Sequence, residues 1–236
     1  MNRISLIEPA EASPEVKEIY DGKLKGKPGN IQKALAHRPA MLGNFLGFYA
    51  SVGRSLDRKL YEAVYLRVSL INRCHYCTQH HIQGAKRVGL AGEQMKALKA
   101  GDYSGFGAPE QVALRYAEKL TRTPDGASDG DFSELKKHFS DEQILDLHML
   151  IGLVNLTNRV TGATGAGSGV SGRKDLGNSD YFVRSLRRRD QAVLGGDGRM
   201  RPSLREQFRE SRARLPLGAL SARDPDTRAG ELHTCG

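Results

Sequence analysis

Cys74, Cys77, His81 and Glu62 are the residues of this chain whose types and spacing could do chemistry together. Two of the three cysteines and three of the seven histidines fall within "CHYCTQHH", residues 74–81. Cys77 follows Cys74 by three positions and precedes His81 by four. On a helix, positions i and i+4 share a face, so the His81 ring can lie above the Cys77 sulfur. Glu62 stands on the preceding helical stretch and is the only carboxylate between Asp57 and Glu93. It is flanked by apolar residues and tyrosines, a setting that is costly for a carboxylate without a partner. The short connection "NR" folds the two stretches back on each other, and His81 is the candidate partner.

These residue types compose a relay of carboxylate, imidazole and thiol. Only a thiolate attacks a peroxide or a disulfide, and a free cysteine ionises near about 8.5. A helix N-terminus and a nearby imidazole both favour the thiolate. The carboxylate orients the ring and supports its protonated form. A second cysteine can trap the sulfenic acid as a disulfide before it oxidises further. The helix terminus favours Cys74 as the first attacker and the base favours Cys77. The base weighs more, because both proton removal and proton delivery need it. Zinc is the rival reading, with Cys74, Cys77, His81 or His80, and Glu62 as ligands. A structural zinc site usually draws a second ligand pair from elsewhere in the chain, and none is evident. Burial of both cysteines as small hydrophobes is the bland alternative. His80 is expected on a helix surface and His75 at a helix start. His37, His138 and His148 are expected to be ordinary surface or core residues, Tyr61 and Tyr65 to pack, with one of the two as a candidate to line the approach of a peroxide, and Cys235 to be a bystander.

The elements that must position these groups are helical, and the fold class is all-α. Ser13 and Pro14 open one helix, and "NIQKALAHRP" stops before Pro39. Leu42, Phe45, Leu46 and Tyr49 mark the next. Leu60, Val64, Val68 and Ile71 recur at helical spacing behind a candidate cap at Asp57. The cysteine stretch runs to a stop at Gly89. Helices follow in "AGEQMKALKAG", "APEQVALRYAEKLTRTP" and "DFSELKKHF". The final helix, "SDEQILDLHMLIGLVNLTNRV", opens with a Ser140/Gln143 capping box. One of its faces carries Ile144, Leu147, Ile151 and Val154, and another carries Leu145, Met149, Leu153 and Leu156. A helix apolar on two sides is buried centrally or lies against another subunit. No period-2 strand pattern stands out.

The chain divides near Ser171. Residues 1–171 hold 12 Lys and 10 Arg against 18 acids, a net charge of +4. Residues 172–236 hold 1 Lys and 13 Arg against 9 acids, a net charge of +5. More than half of the positive excess therefore sits in the last quarter, and a nucleic-acid-binding role for the body is not expected. The tail, with its Gly-rich start and the run "RSLRRRD", has too few apolar residues to bury a core and reads as disordered. "GAGSGVSG" follows a helix and not a strand, which argues against a phosphate loop. The chain has no long apolar run and opens with charged residues, so neither a membrane span nor a secretory leader is expected. The cytoplasm is the expected compartment, where a close cysteine pair is redox-active or metal-binding before it is a staple.

Glu62 followed by "RCHYCTQHH" resembles the alkylhydroperoxidase AhpD / carboxymuconolactone decarboxylase family, whose peroxidase members carry E-x11-C-x2-C-x3-H. The surrounding "EAVYLRVSLIN" and the later "LIGLVNLTNRVTGATG" also resemble that family, and the resemblance covers about residues 1–165. It implies an all-helical bundle, homo-oligomers (trimers or hexamers), and reduction of hydroperoxides with an external dithiol, from a thioredoxin-like or lipoyl protein, and no bound cofactor. By the same resemblance Cys77 is peroxidatic, Cys74 resolving, and His81 with Glu62 the proton relay. Some members carry His where this chain has Tyr76. The family's decarboxylases lack the cysteine pair, so decarboxylation is not implied. The alternative is a non-enzymatic dithiol redox or zinc-binding module on an oligomeric helical scaffold.

Overall fold

The computed structural model of the protein describes residues 2–167. Those residues form nine helices and a short 3-10 turn at Pro9–Glu11, with no strand among them. The helices are α1 (Pro14–Leu24), α2 (Asn30–Leu35), α3 (Pro39–Ser51), α4 (Arg58–Ile71), α5 (His75–Arg87), α6 (Gly92–Ala100), α7 (Ala108–Arg122), α8 (Asp129–Leu135) and α9 (Asp141–Thr164). None is long and apolar enough to cross a membrane. The boundary near Ser171, the tail 172–236 and Cys235 lie outside the described residues.

The helix starts follow local chemistry. Ser13 Oγ accepts the Val16 N–H, Asp57 Oδ1 accepts those of Lys59 and Leu60, and Ser140 forms the expected box with Gln143. Each cap satisfies amide donors that a helix start leaves open, at about 1 kcal/mol apiece. One start differs from the sequence expectation. The helix expected to open at Asp131 begins at Asp129, because Ser128 Oγ accepts the Asp131 N–H and the Asp131 carboxylate returns to the Ser128 N–H.

α4 is the axis of the bundle. It packs against α5, α6, α7 and α9. Leu60 through Ser69 are all buried, on every face of the helix. Each fully enclosed aliphatic side chain there contributes about 1.5–3 kcal/mol. The buried cation Arg67 is answered at once: its guanidinium meets Glu118 Oε2 at 2.6 Å, Tyr103 Oη at 2.6 Å and the Leu98 carbonyl at 2.8 Å. A smaller apolar cluster joins α1 and α3 through Val16, Tyr20, Leu24, Leu42 and Leu46.

α9 splits its two apolar faces. Ile144, Leu147, Ile151 and Val154 are buried, and Leu153 joins them at 1% exposure instead of lying with the second face. Leu145, Met149 and Leu156 point outward at 62%, 39% and 47%.

Candidate active site

The site grows out of the connection between α4 and α5. α4 ends at Ile71, and Asn72 turns its side chain onto α9, donating to Asn155 Oδ1 (2.9 Å) and Asn158 Oδ1 (3.0 Å). Arg73 then adopts the left-handed region with φ 56°, which reverses the chain within one residue. Cys74 follows as the N-cap of α5, and its sulfur accepts the Cys77 N–H at 3.3 Å. The first turn of α5 therefore carries Cys77 back over Cys74. The two sulfurs are bonded as a disulfide, with Cα atoms 5.4 Å apart. Both residues are buried, at 8% and 5% exposure.

Tyr76, between the cysteines, is clamped from outside the hairpin. Its hydroxyl accepts the Asn30 N–H at 3.3 Å, and Asn30 Nδ2 in turn donates to the Ala166 carbonyl at 2.8 Å. Gly167 lets the chain close over the Tyr76 ring: a Cβ there would stand 2.8 Å from Tyr76 Cβ. The start of α2 and the end of α9 thus hold the first turn of α5 in place.

One turn deeper, His81 Nδ1 lies 2.8 Å from Glu62 Oε2. Burial pushes the Glu62 carboxyl up, but the charge and hydrogen bond of His81, with Arg58 and Arg87, outweigh it and hold the group below its ordinary value. Arg58 Nη2 approaches the other oxygen at 3.4 Å. Gly84 makes the space: a Cβ at that position would stand 2.7 Å from Glu62 Cδ. With Nδ1 committed to the carboxylate, Nε2 is the nitrogen left for proton transfer.

Tyr65 completes the setting. Its ring stacks on His81 with centroids 3.4 Å apart and planes 13° from parallel. Its hydroxyl is hydrogen-bonded to Thr157 Oγ1 at 2.9 Å, which ties the stack to α9. Burial pushes the Tyr65 phenol up to about 12 and raises Tyr49 and Tyr61 too, so all three stay neutral phenols.

The structure joins the four residues singled out from the sequence as two pairs, Glu62 with His81 and Cys74 with Cys77. His75 is exposed at the helix start. His37 is held by the Ser5 carbonyl and His148 by Tyr116 and the Ile144 carbonyl, as ordinary structural histidines. His80, expected on a helix surface, is only partly exposed. Its ring stacks on Tyr76 with centroids 6.0 Å apart and meets His81 edge-on at 5.6 Å. Its Nδ1 is buried without a hydrogen-bond partner. Burial, then the neighbouring His81, push its imidazole down to about 3. The role of Tyr65 was missed, although its place one turn after Glu62 put it on the face that meets α5. Among the described residues no group of three or more His, Cys, Asp and Glu side chains is arranged to hold a metal ion.

Comparison with known proteins fits this arrangement. Residues 39–119 match the model of the Carboxymuconolactone decarboxylase family, which spans the helices that build the site. The chain is 30% identical over 113 residues to the uncharacterized protein YdfG of Bacillus subtilis (strain 168), covering 47% of this chain and 77% of that one. It is similar in structure to an uncharacterized peroxidase-related protein from Silicibacter sp. TM1040, at 27% identity and a TM-score of 0.61 over 70% of this chain and 90% of that one. The same fold recurs at 20% identity, TM-score 0.63, in a peroxidase-related protein with an alkylhydroperoxidase AhpD core from Ralstonia eutropha JMP134, over 74% of this chain and 94% of that one. It recurs again at 17% identity, TM-score 0.60, in the debrominase Bmp8, over 78% and 97%. On its sequence match and its fold, the chain belongs to the AhpD / carboxymuconolactone decarboxylase family.

Proposed function

We propose that the chain is a thiol-dependent peroxidase that cycles the Cys74–Cys77 pair between dithiol and disulfide. The observation that carries this reading is a bonded cysteine pair in the first turn of α5 with a buried Glu62–His81 pair one turn deeper. In the forward step the Cys77 thiolate attacks the terminal peroxide oxygen. The O–O bond breaks, Cys77 becomes a sulfenic acid, and the alkoxide takes a proton from the His81 imidazolium and leaves as alcohol. Cys74 then attacks the Cys77 sulfur, water leaves, and the disulfide forms. The Cys77 N–H directed at the Cys74 sulfur favours the thiolate needed for that attack. An external dithiol, from a thioredoxin-like or lipoyl protein, returns two electrons, so the cycle needs no bound cofactor. The peroxidase-related protein from Silicibacter sp. TM1040 supports the reading by its similarity. We place the activity in the cytoplasm and in a homo-oligomer.

The test is a thiol count before and after one equivalent of an organic hydroperoxide, with product alcohol and bound metal measured on the same sample. The proposal expects Cys74 and Cys77 to be lost together, one equivalent of alcohol, and repeated turnover once a dithiol is supplied. Oxidation of Cys235 alone, or metal bound in proportion to protein with no turnover, overturns it in favour of a zinc or sensor module.

A further inference from the structure

The outward face of α9 has a pattern that fits a second copy of itself. Six exposed residues lie on one face: Glu142, Leu145, Met149, Gly152, Leu156 and Arg159. Their successive spacings are three, four, three, four and three residues, the same read from either end. At about 100° per residue these steps keep all six within one stripe. The middle of the stripe is apolar, and the three large side chains there are among the most exposed apolar residues of the chain. Its ends carry opposite charge.

From this we propose that α9 pairs antiparallel with α9 of a second copy across a two-fold axis. This inference is independent of the redox chemistry. Antiparallel pairing sets Leu145 against the partner's Leu156 and Met149 against the partner's Gly152, twice each by symmetry. Gly152 is open on its outer side, with nothing within 4 Å of where a Cβ would stand, so it offers a hole to the Met149 side chain. Glu142 then meets the partner's Arg159 at both ends. Arg159 is steered along this face by its bond to Asn155 Oδ1 at 2.7 Å. Size, polarity and charge are therefore all self-complementary in one register. A parallel pair would oppose Glu142 to the partner's Glu142. A one-turn slip would leave both Met149 side chains without a hole.

The test is native mass by light scattering and sedimentation, on the full chain at micromolar concentration. Gly152→Arg fills the hole; since that position is open in a single copy, the circular dichroism and helix content should be kept. The proposal expects it to halve the native mass, dimer to monomer or hexamer to trimer. Glu142→Arg and Arg159→Glu should each weaken the pairing by about ten-fold, because two like-charge contacts replace two opposite ones. Mixing those two variants, or joining both changes in one chain, should restore it. A monomeric wild-type chain overturns the proposal. So does an unchanged mass in Gly152→Arg, or a failure of the combined charge reversal to recover what the single ones lose.

Discussion

His81 Nδ1 and Glu62 Oε2 stand 2.8 Å apart on neighbouring antiparallel helices, each residue only 6% exposed. A carboxylate so enclosed is costly unless a cationic or donor partner answers it. An imidazole so held has one tautomer, with Nδ1–H to the carboxylate and Nε2 as the base. The two groups should therefore act as one unit. His81→Ala is expected to slow Cys77 oxidation by about 10²-fold, the usual scale for a positioned base. Glu62→Gln should cost about ten-fold, because the ring keeps some basicity. The double variant should be no slower than His81→Ala, since members of a unit are non-additive. Stopped-flow oxidation of the four proteins decides it, and fully multiplied losses would sink the relay.

Gly84 gives a separate handle on the same carboxylate. On an exposed helix Gly→Ala would stabilise by about 0.5–1 kcal/mol. Here the new Cβ would lie 2.7 Å from Glu62 Cδ, so either the carboxylate or the helix must move. The expected outcome is a loss of about 1–3 kcal/mol, as for overpacking elsewhere, with slower thiol oxidation. A melting temperature above that of the wild type would mean that Glu62 does not occupy that space.

Tyr65 holds the His81 ring by its flat face, so its ring and not its hydroxyl should matter most. Tyr65→Leu removes the stack and should slow oxidation of Cys77 by about ten-fold, because a loosened base spends less time in reach. Its alkylation profile should move to higher pH. Tyr65→Phe keeps the stack and gives up the hydroxyl's bonds to Thr157 and Tyr49, at about 1 kcal/mol of stability each. Equal rates for Leu and Phe would show that the stacked ring does not position His81.

Much of this was legible in the sequence because local rules decide it. Ser13, Asp57 and Ser140 mark helix starts by what their own side chains reach, and the apolar period of α4 declares its burial. Glu62, Cys74, Cys77 and His81 could be joined because a short turn leaves only one way for their helices to meet. What was not legible depends on chain far away. His80 reads as a surface residue on α5 alone, and it is enclosed only beside Tyr76, which α2 and the end of α9 hold in place. Leu153 reads with the second face of α9 by period alone, and only packing turns it inward while Leu145, Met149 and Leu156 stay exposed. Ser128 was passed over because the apolar pattern of α8 starts only at Phe132, while the cap sets the boundary.

His80 offers the pH test. Its folded-state imidazole is held down to about 3, first by burial and then by His81, against an ordinary value of 6.5. Between those values the unfolded chain binds a proton that the folded chain refuses, so stability falls as pH drops through that window. At about 1.4 kcal/mol per unit, the loss by pH 5 is at most about 2 kcal/mol, and less to the extent that water reaches the ring. Glu62 acts in the same direction but lower. Its folded value is depressed, so its contribution is complete above its ordinary value of 4.5 and fades only as pH falls below it. Above 4.5 only His80 acts, while between 4.5 and about 3 the two windows overlap. His80→Gln should flatten the fall in melting temperature between pH 7 and pH 5 and leave below 4.5 only the part that Glu62 contributes. Glu62→Gln should leave the upper interval unchanged and flatten the lower one. Thermal melts of the wild type and both variants across pH measure this, and an upper interval equally steep in His80→Gln would show that the enclosed ring is not the source of the acid lability.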